Sequence, residues 1–286
     1  MSFYLSALML GLGLVSLGFG IYISMRIFNI PDITTDGSYT LGAVVTGVLL
    51  SSSFSPLLLI PVVMLAGALA GAVTGFIHTK LKVNALLSGI LVMTALYSVN
   101  LTLLGRSNLP LINVPTLFDV LPFDSTYKVL ITLLLITFLL WALISFVLKT
   151  DFGLAMRATG SSEIMIRLMG VNTDIMKIKG LAIANAFTAL SGALISQYQG
   201  YVDINMGIGI VIAGLGAVMI GEAFVSWFRI RSIGYRLLGV IAGSIIFRLI
   251  LAFALSIGLD PNLLKLVTAF IVLVVVTLPN LKKSYS

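Results

Sequence analysis

KVLITLLLITFLLWALISFVL, residues 128–148, carries a single charge, at its first position. A transmembrane helix needs about 20 mostly apolar residues to cross a hydrocarbon core of roughly 30 Å, and this stretch supplies them. Working outward, eight further stretches have the same character: 4–24, 38–54, 56–78, 84–104, 180–199, 207–228, 237–257 and 264–279. The second and the last are short for a full crossing. The composition agrees. Of 286 residues 59% are hydrophobic and 9% charged, with mean hydropathy +1.15, whereas a soluble domain carries roughly 25% charged residues. So little charge cannot coat a water-facing surface, and so much apolar content excludes disorder. The absence of cysteine removes disulfides and thiolate chemistry, and the single His78 makes a histidine metal cluster untenable. The expectation is an all-α polytopic membrane protein of nine spans, forming one transmembrane domain over 1–286.

The basic residues give the orientation. Taking the breaks between spans alternately, one set holds Arg26, Lys80, Lys82, Lys149, Arg157, Arg167, Lys177, Lys179, Arg229, Arg231, Arg236, Lys282 and Lys283. The other holds only Arg106, Lys128 and Lys265. By the positive-inside rule the first set is cytoplasmic, the N-terminus outside and the C-terminus inside. The net charge of +7 is then a topological bias and asks for no nucleic acid. The start of the chain, Met-Ser-Phe-Tyr, lacks the positive charge of a cleavable signal peptide, and no A-x-A site follows.

Two loops are long. Residues 149–179 contain TDFGLAMRATGSSEIMIRLMGVNTDIMKIK on the cytoplasmic side. There Ser161 and Ser162 can cap a helix, Ile164, Met165, Leu168 and Met169 share helical spacing, and Gly170 suits its end. Such an amphipathic helix either rests on lipid or serves as a docking knob for a cytoplasmic partner. The outer loop, 105–127, holds Pro110, Pro115 and Pro122 and is expected to be an extended connector. An internal repeat links PDITTDGSYTLGAVVTGVLL (31–50) with VDINMGIGIVIAGLGAVMIG (202–221). Five spans separate the copies, so the second is inverted, as in many transporters.

Residues able to carry chemistry are few. No G-x-x-x-x-G-K-[ST] motif exists, so the chain has no P-loop for a nucleotide. Nor can a Ser/His/Asp set be assembled around His78, at a cytoplasmic helix end. Arg248 lies 12 residues from Arg236 and 12 from Asp260, so ~18 Å of helix separates it from each interface. A charge there is costly and faces a cavity or a partner. One reading pairs it with Glu222 in the neighbouring span; the other makes it a lining residue for an anionic group in transit. Asp32, Asp36, Ser38 and Tyr39 precede a glycine-rich span, as an ordinary polar turn or as a broken-helix site. Asn84, Asn100, Asn185, Gln197 and Gln199 are more often glue between helices than ligands. Gly67, Gly71 and Gly75 form a tandem G-x-x-x-G that permits close helix packing.

IFNIPDITTDGSYTLGAVV (27–45), RATGSSEIMIRLMGVNTD (157–174) and GLAIANAFTALSGALISQYQG (180–200) resemble permease subunits of ABC importers. The group is the one serving branched-chain amino acids, simple sugars and nucleosides, and the likeness is strongest to its tryptophan/tyrosine-type branch. HTKLKVNALLSGILVMTALYSVNL (78–101) and GLDPNLLKLVTAFIVLVVVTLP (258–279) extend the resemblance over nearly the whole chain. It implies a non-enzymatic permease in the bacterial cytoplasmic membrane, paired with a second copy around a central path. A cytoplasmic ABC ATPase dimer would bind below, holding ATP and Mg while this chain carries no cofactor, and a solute-binding protein above. It also implies a coupling helix over 157–172, with Arg157, Gly160, Glu163, Arg167 and Gly170 at the ATPase groove. The E-A-A-x-x-x-G loop of other importers appears here only as R-A-T-G followed by Gly170. The path would take Arg248, Asp32, Asp36, Ser38, Tyr39, Asn84, Asn185 and Glu222. An ion-gradient transporter of an anionic or zwitterionic solute is the alternative reading, with Glu222 and Arg248 as its charged pair. A scaffold without transport is weakened by Arg248 and by the repeat.

Overall fold

The computed structural model describes residues 3–120, 127–228 and 232–284, with side chains up to Thr277 apart from Asn262 and Val276. Pro122, Arg229 and Arg231, and the side chains of Lys282 and Lys283, lie outside the described residues. The chain runs through α1 (Phe3–Gly13), α2 (Val15–Ile21), α3 (Thr34–Ser51), α4 (Pro56–Lys80), α5 (Ala85–Leu104), β1 (Asn108–Pro110) and α6 (Lys128–Lys149). It continues through α7 (Asp151–Ser161), α8 (Glu163–Leu168), α9 (Thr173–Gln199), β2 (Tyr201–Asp203), α10 (Ile210–Trp227), α11 (Ile233–Ser256) and α12 (Leu264–Ser284). A helix stands at each expected span. Among the described residues seven are long and apolar enough to cross a membrane, the first running from Phe3 to Ile27 through a π-helical turn at Tyr22–Ile27. Missing from those seven are α3 and α12, the two read as short. The protein is an all-α, multi-pass membrane protein.

The core is organised around α9, from whose middle Ala184 to Gln197 are all buried. Its neighbours are α4 on one side, α3 on another and α2 on a third. Gly67, Gly71 and Gly75 of α4 lie against Asn185, Leu181 and Ile178 of α9, so backbone meets backbone along the seam. The tandem G-x-x-x-G is therefore a packing device. α10 and α11 form a second pair, joined by α1 and α12.

Basic residues gather at one end, called here the basic end. Arg26 pairs with Glu222, Lys80 with Asp174 at 3.2 Å, and Arg167 with Asp174 at 3.0 Å. At the far end β1 pairs antiparallel with β2, Leu109 opposite Val202, so part of the outer connector is a sheet strand. There Gln197 accepts the Leu117 N–H at 2.7 Å, and Lys128 bonds Asp119 at 2.7 Å, which pulls the Asp119 carboxyl down to about 2.

Candidate functional site

Two helices begin inside the bundle. After Ile27 the chain leaves helical geometry, with Asn29 at φ 54°, and α3 starts only at Thr34. After β2 it again runs without regular structure until Gly209, at φ 83°, and α10 starts at Ile210. Both helices have 18 residues, and they run in opposite directions, α3 to the far end and α10 to the basic end. Each approach opens with the same local turn: Asp32 accepts from the Thr34 N–H at 2.9 Å, and Asp203 from the Asn205 N–H at 2.7 Å. The two segments are those that read as inverted copies in the sequence.

The N-termini of these two helices each hold a carboxylate. A helix N-terminus presents unpaired N–H groups and positive partial charge. Asp32, fully buried, accepts from the N–H of Thr34, the first residue of α3, and from Asn185 Nδ2 on α9 at 2.7 Å. Asp36, in the first turn of α3, reaches across to α10 and accepts from the Gly209 N–H at 2.9 Å and the Val211 N–H at 3.0 Å. Beside it a cavity of about 40 Å³ is lined by Asp36, Gly37, Thr40, Tyr97 and Asn100 among others. Asn100 donates to the Gly37 carbonyl at 3.3 Å, while its Oδ1 is buried without a partner. The free face of α5 adds Thr94, Tyr97 and Ser98, all exposed.

The other expected path residues separate. Ser38 is buried with an unpartnered hydroxyl, and Tyr39 is fully buried within electrostatic reach of Arg248. Arg248 packs against Gly11 of α1, half-buried, its Nε without a partner. Glu222 does not pair with it. Glu222 bonds Arg26 at the basic end, because it lies about a turn and a half from the end of α10, whereas Arg248 is deep in α11. The ion pair considered for Arg248 and for a gradient-driven transporter is thus absent. Asn84 is exposed and caps α5 by accepting from the Leu86 N–H at 2.9 Å; it does not join the buried group. His78 Nδ1 lies 2.9 Å from the Val83 carbonyl oxygen.

The long basic-end loop contains two helices where one was expected. α7 precedes the amphipathic α8, with Thr150 capping it through the Gly153 N–H at 3.4 Å. Within α8, Ile164 and Leu168 are 77% and 84% exposed, and Met165 and Met169 are exposed too. An apolar face turned outward at a membrane surface asks for a cover. Glu163 and Arg167 face the opposite way. Glu163 bonds Lys177 at 2.6 Å and Arg167 at 2.7 Å, and accepts from Thr173 at 3.2 Å; the Lys177 bond holds its carboxyl below the usual carboxylate range. These bonds clasp α8 to the first turns of α9. Gly170, at φ 84° with open space around it, turns the chain between them. Gly160 lies on the backbone of Ile27 and Phe28, and its carbonyl accepts from Asn29 Nδ2 at 3.2 Å. A Cβ at 160 would overlap the Ile27 carbonyl oxygen. This seat ties α7 to the irregular segment leading to Asp32, a connection that sequence spacing gives no sign of.

Among the described residues no group of three or more His, Cys, Asp or Glu side chains is placed to hold a metal. Residues 3–277 match the family described as branched-chain amino acid transport system / permease component. A tyrosine transport system permease protein of Clostridioides difficile is 36% identical over 99% of this chain and 94% of its own length. An uncharacterized protein of Rickettsia prowazekii is 32% identical over 96% of each chain. The autoinducer 2 import system permease protein LsrC of Escherichia coli is 25% identical over 73% of this chain and 60% of its own. No solved structure matches. The chain belongs to the permease-component family of branched-chain amino acid transport systems, and is a transport subunit rather than an enzyme.

Proposed function

We propose that the chain is the membrane-spanning subunit of an ATP-driven importer in the bacterial cytoplasmic membrane. Two copies enclose a path for a small solute, an amino acid, and the similarity to a tyrosine permease favours an aromatic one. The basic end is cytoplasmic, the N-terminus outside and the C-terminus inside. ATP and Mg belong to a separate ATPase dimer, and a solute-binding protein delivers the substrate to the far end. The observation that carries the reading is the meeting of α3 and α10, whose N-termini are closed by Asp32 and Asp36.

Each of these two helices has its own lever. At the basic end α8 offers its apolar face to the ATPase, the Glu163 clasp passes force to α9, and α7 bears through Gly160 on the segment before α3. At the far end the β1–β2 pairing ties the outer connector to the segment before α10. Rocking either lever shifts α3 against α10 and breaks the Asp36 bonds, a transition between two discrete states. Asp36 and the free Asn100 Oδ1 then present acceptors to a substrate ammonium, and Arg248 presents donors to its carboxylate. Arg248→Ala is expected to lower uptake several-fold with the dimer intact, and Arg248→Lys to restore part of it. Uptake unchanged in Arg248→Ala removes the residue from the path.

Glu163→Arg faces Arg167 and Lys177 and should release α8 from α9. The expected result is loss of co-purification with the ATPase while membrane insertion and yield stay normal; unchanged co-purification sinks the role of the clasp. Reconstituted vesicles test the whole reading. Uptake should require the ATPase and ATP and ignore ionophores, whereas uptake that persists without ATPase and collapses with an ionophore overturns it.

A further inference from the structure

At the basic end, away from the meeting of α3 and α10, a cavity of about 460 Å³ is lined by Tyr22, Arg26, Asn29, Arg157, Ser161 and Arg236. Three guanidinium groups converge on it from the end of the first span, from α7 and from the start of α11. One carboxylate answers them: Glu222, bonded to Arg26. Arg157 Nε reaches only the Gly153 carbonyl, at 3.4 Å. Arg236 lines the same cavity wall as Tyr22. Among the described residues neither Arg157 nor Arg236 forms an ion pair, so the cavity holds two cations in excess.

Guanidinium forks match the oxygens of a phosphate, and several of them at one point select it over a lone carboxylate. The surroundings specify more. Ile27 and Ile233 supply apolar wall beside the arginines. Trp227, Phe228 and Tyr235, at 81%, 69% and 60% exposure, stand where α10 ends and α11 begins. Exposed aromatics of this kind mark the headgroup level of a bilayer, and basic pockets between membrane helices receive anionic lipid headgroups. A free phosphate ion would use the arginines and leave the apolar wall idle.

We propose that this cavity binds the phosphate group of an anionic phospholipid, which bridges the first span, α7 and α11. The site is independent of the transport reading above. Delipidated protein in neutral detergent, at constant ionic strength, is titrated with phosphatidylglycerol, phosphatidylcholine or inorganic phosphate, following the thermal midpoint and the lipid retained through size exclusion. Phosphatidylglycerol is expected to raise the midpoint and to be retained, and the other two to do neither. Arg157→Gln with Arg236→Gln should weaken that retention about tenfold, from the charge-assisted bonds removed. Arg236→Gln alone, at an exposed position, serves if the double variant does not fold. Equal retention in the variants overturns the site. A shift with inorganic phosphate alone, lost in the variants, overturns the lipid as its source.

Discussion

Replacing Asp36 with alanine is expected to reduce ATP-dependent uptake by about a hundredfold or more, from the worth of two charge-assisted hydrogen bonds at about 1.5–3 kcal/mol each. The carboxylate takes the N–H groups of Gly209 and Val211, so its removal leaves the start of α10 open inside the bundle. α3 keeps the bond from its first N–H to Asp32, and the contacts of α4 and α9 are untouched. The protein should therefore insert and remain monodisperse. What changes is the balance between the state in which α3 and α10 are latched and the state in which they are apart. A single unlatched population turns over ATP without moving solute, so ATPase activity of the assembly should persist or rise while uptake falls. Asp36→Asn keeps one acceptor without the charge, and should lie between alanine and the native residue. Uptake and ATPase activity that fall together in both variants would place Asp36 in assembly and not in the latch.

Asp36 also shows where sequence reading stops. Its neighbourhood on α3 was visible as a polar run before a glycine-rich span, and the inverted likeness of 31–50 to 202–221 pointed to α10. The partner atoms were not visible, because Gly209 and Val211 contribute backbone N–H groups that leave no mark in residue type. Hydropathy located every span, yet α3 falls short of the other spans because Thr34, Thr35, Ser38 and Thr40 crowd its first half. Protein encloses those residues, and all four are buried. For Glu222 the neighbouring span suggested Arg248, but depth along the helix decides, and Arg26 stands at the matching end. α7 was missed for a different reason. Its apolar positions are few, and its place is fixed by Gly160 against Ile27, a contact between backbones.

Gly71→Leu is expected to prevent the bundle from assembling, with the largest effect on stability of any substitution considered. Gly67, Gly71 and Gly75 meet α9 at Asn185, Leu181 and Ile178, and a Cβ at 71 would already overlap the Leu181 carbonyl oxygen. That oxygen belongs to helix backbone and also accepts from Asn185 Nδ2 at 3.0 Å, so it has no freedom to withdraw. Overpacking costs about 1–3 kcal/mol where side chains can yield, and more where they cannot. Set against a total stability of about 5–15 kcal/mol, Gly71→Ala should lower the thermal midpoint markedly and Gly71→Leu should leave little folded protein. The individual helices would still insert, since hydropathy governs insertion and packing governs association. Membrane-bound protein that aggregates on extraction is the expected signature. Gly105→Asn is the control: that glycine ends α5 at φ 66° with nothing within 4 Å, and asparagine tolerates this conformation. Its midpoint should stay close to the native value. The displacement also reaches function, because Asn185 sits on the same seam and holds Asp32 at 2.7 Å. Gly71→Ala should therefore lose uptake at temperatures where it is still folded, whereas Gly105→Asn should not. A Gly71→Leu protein with the native midpoint would mean that α4 and α9 do not pack backbone to backbone.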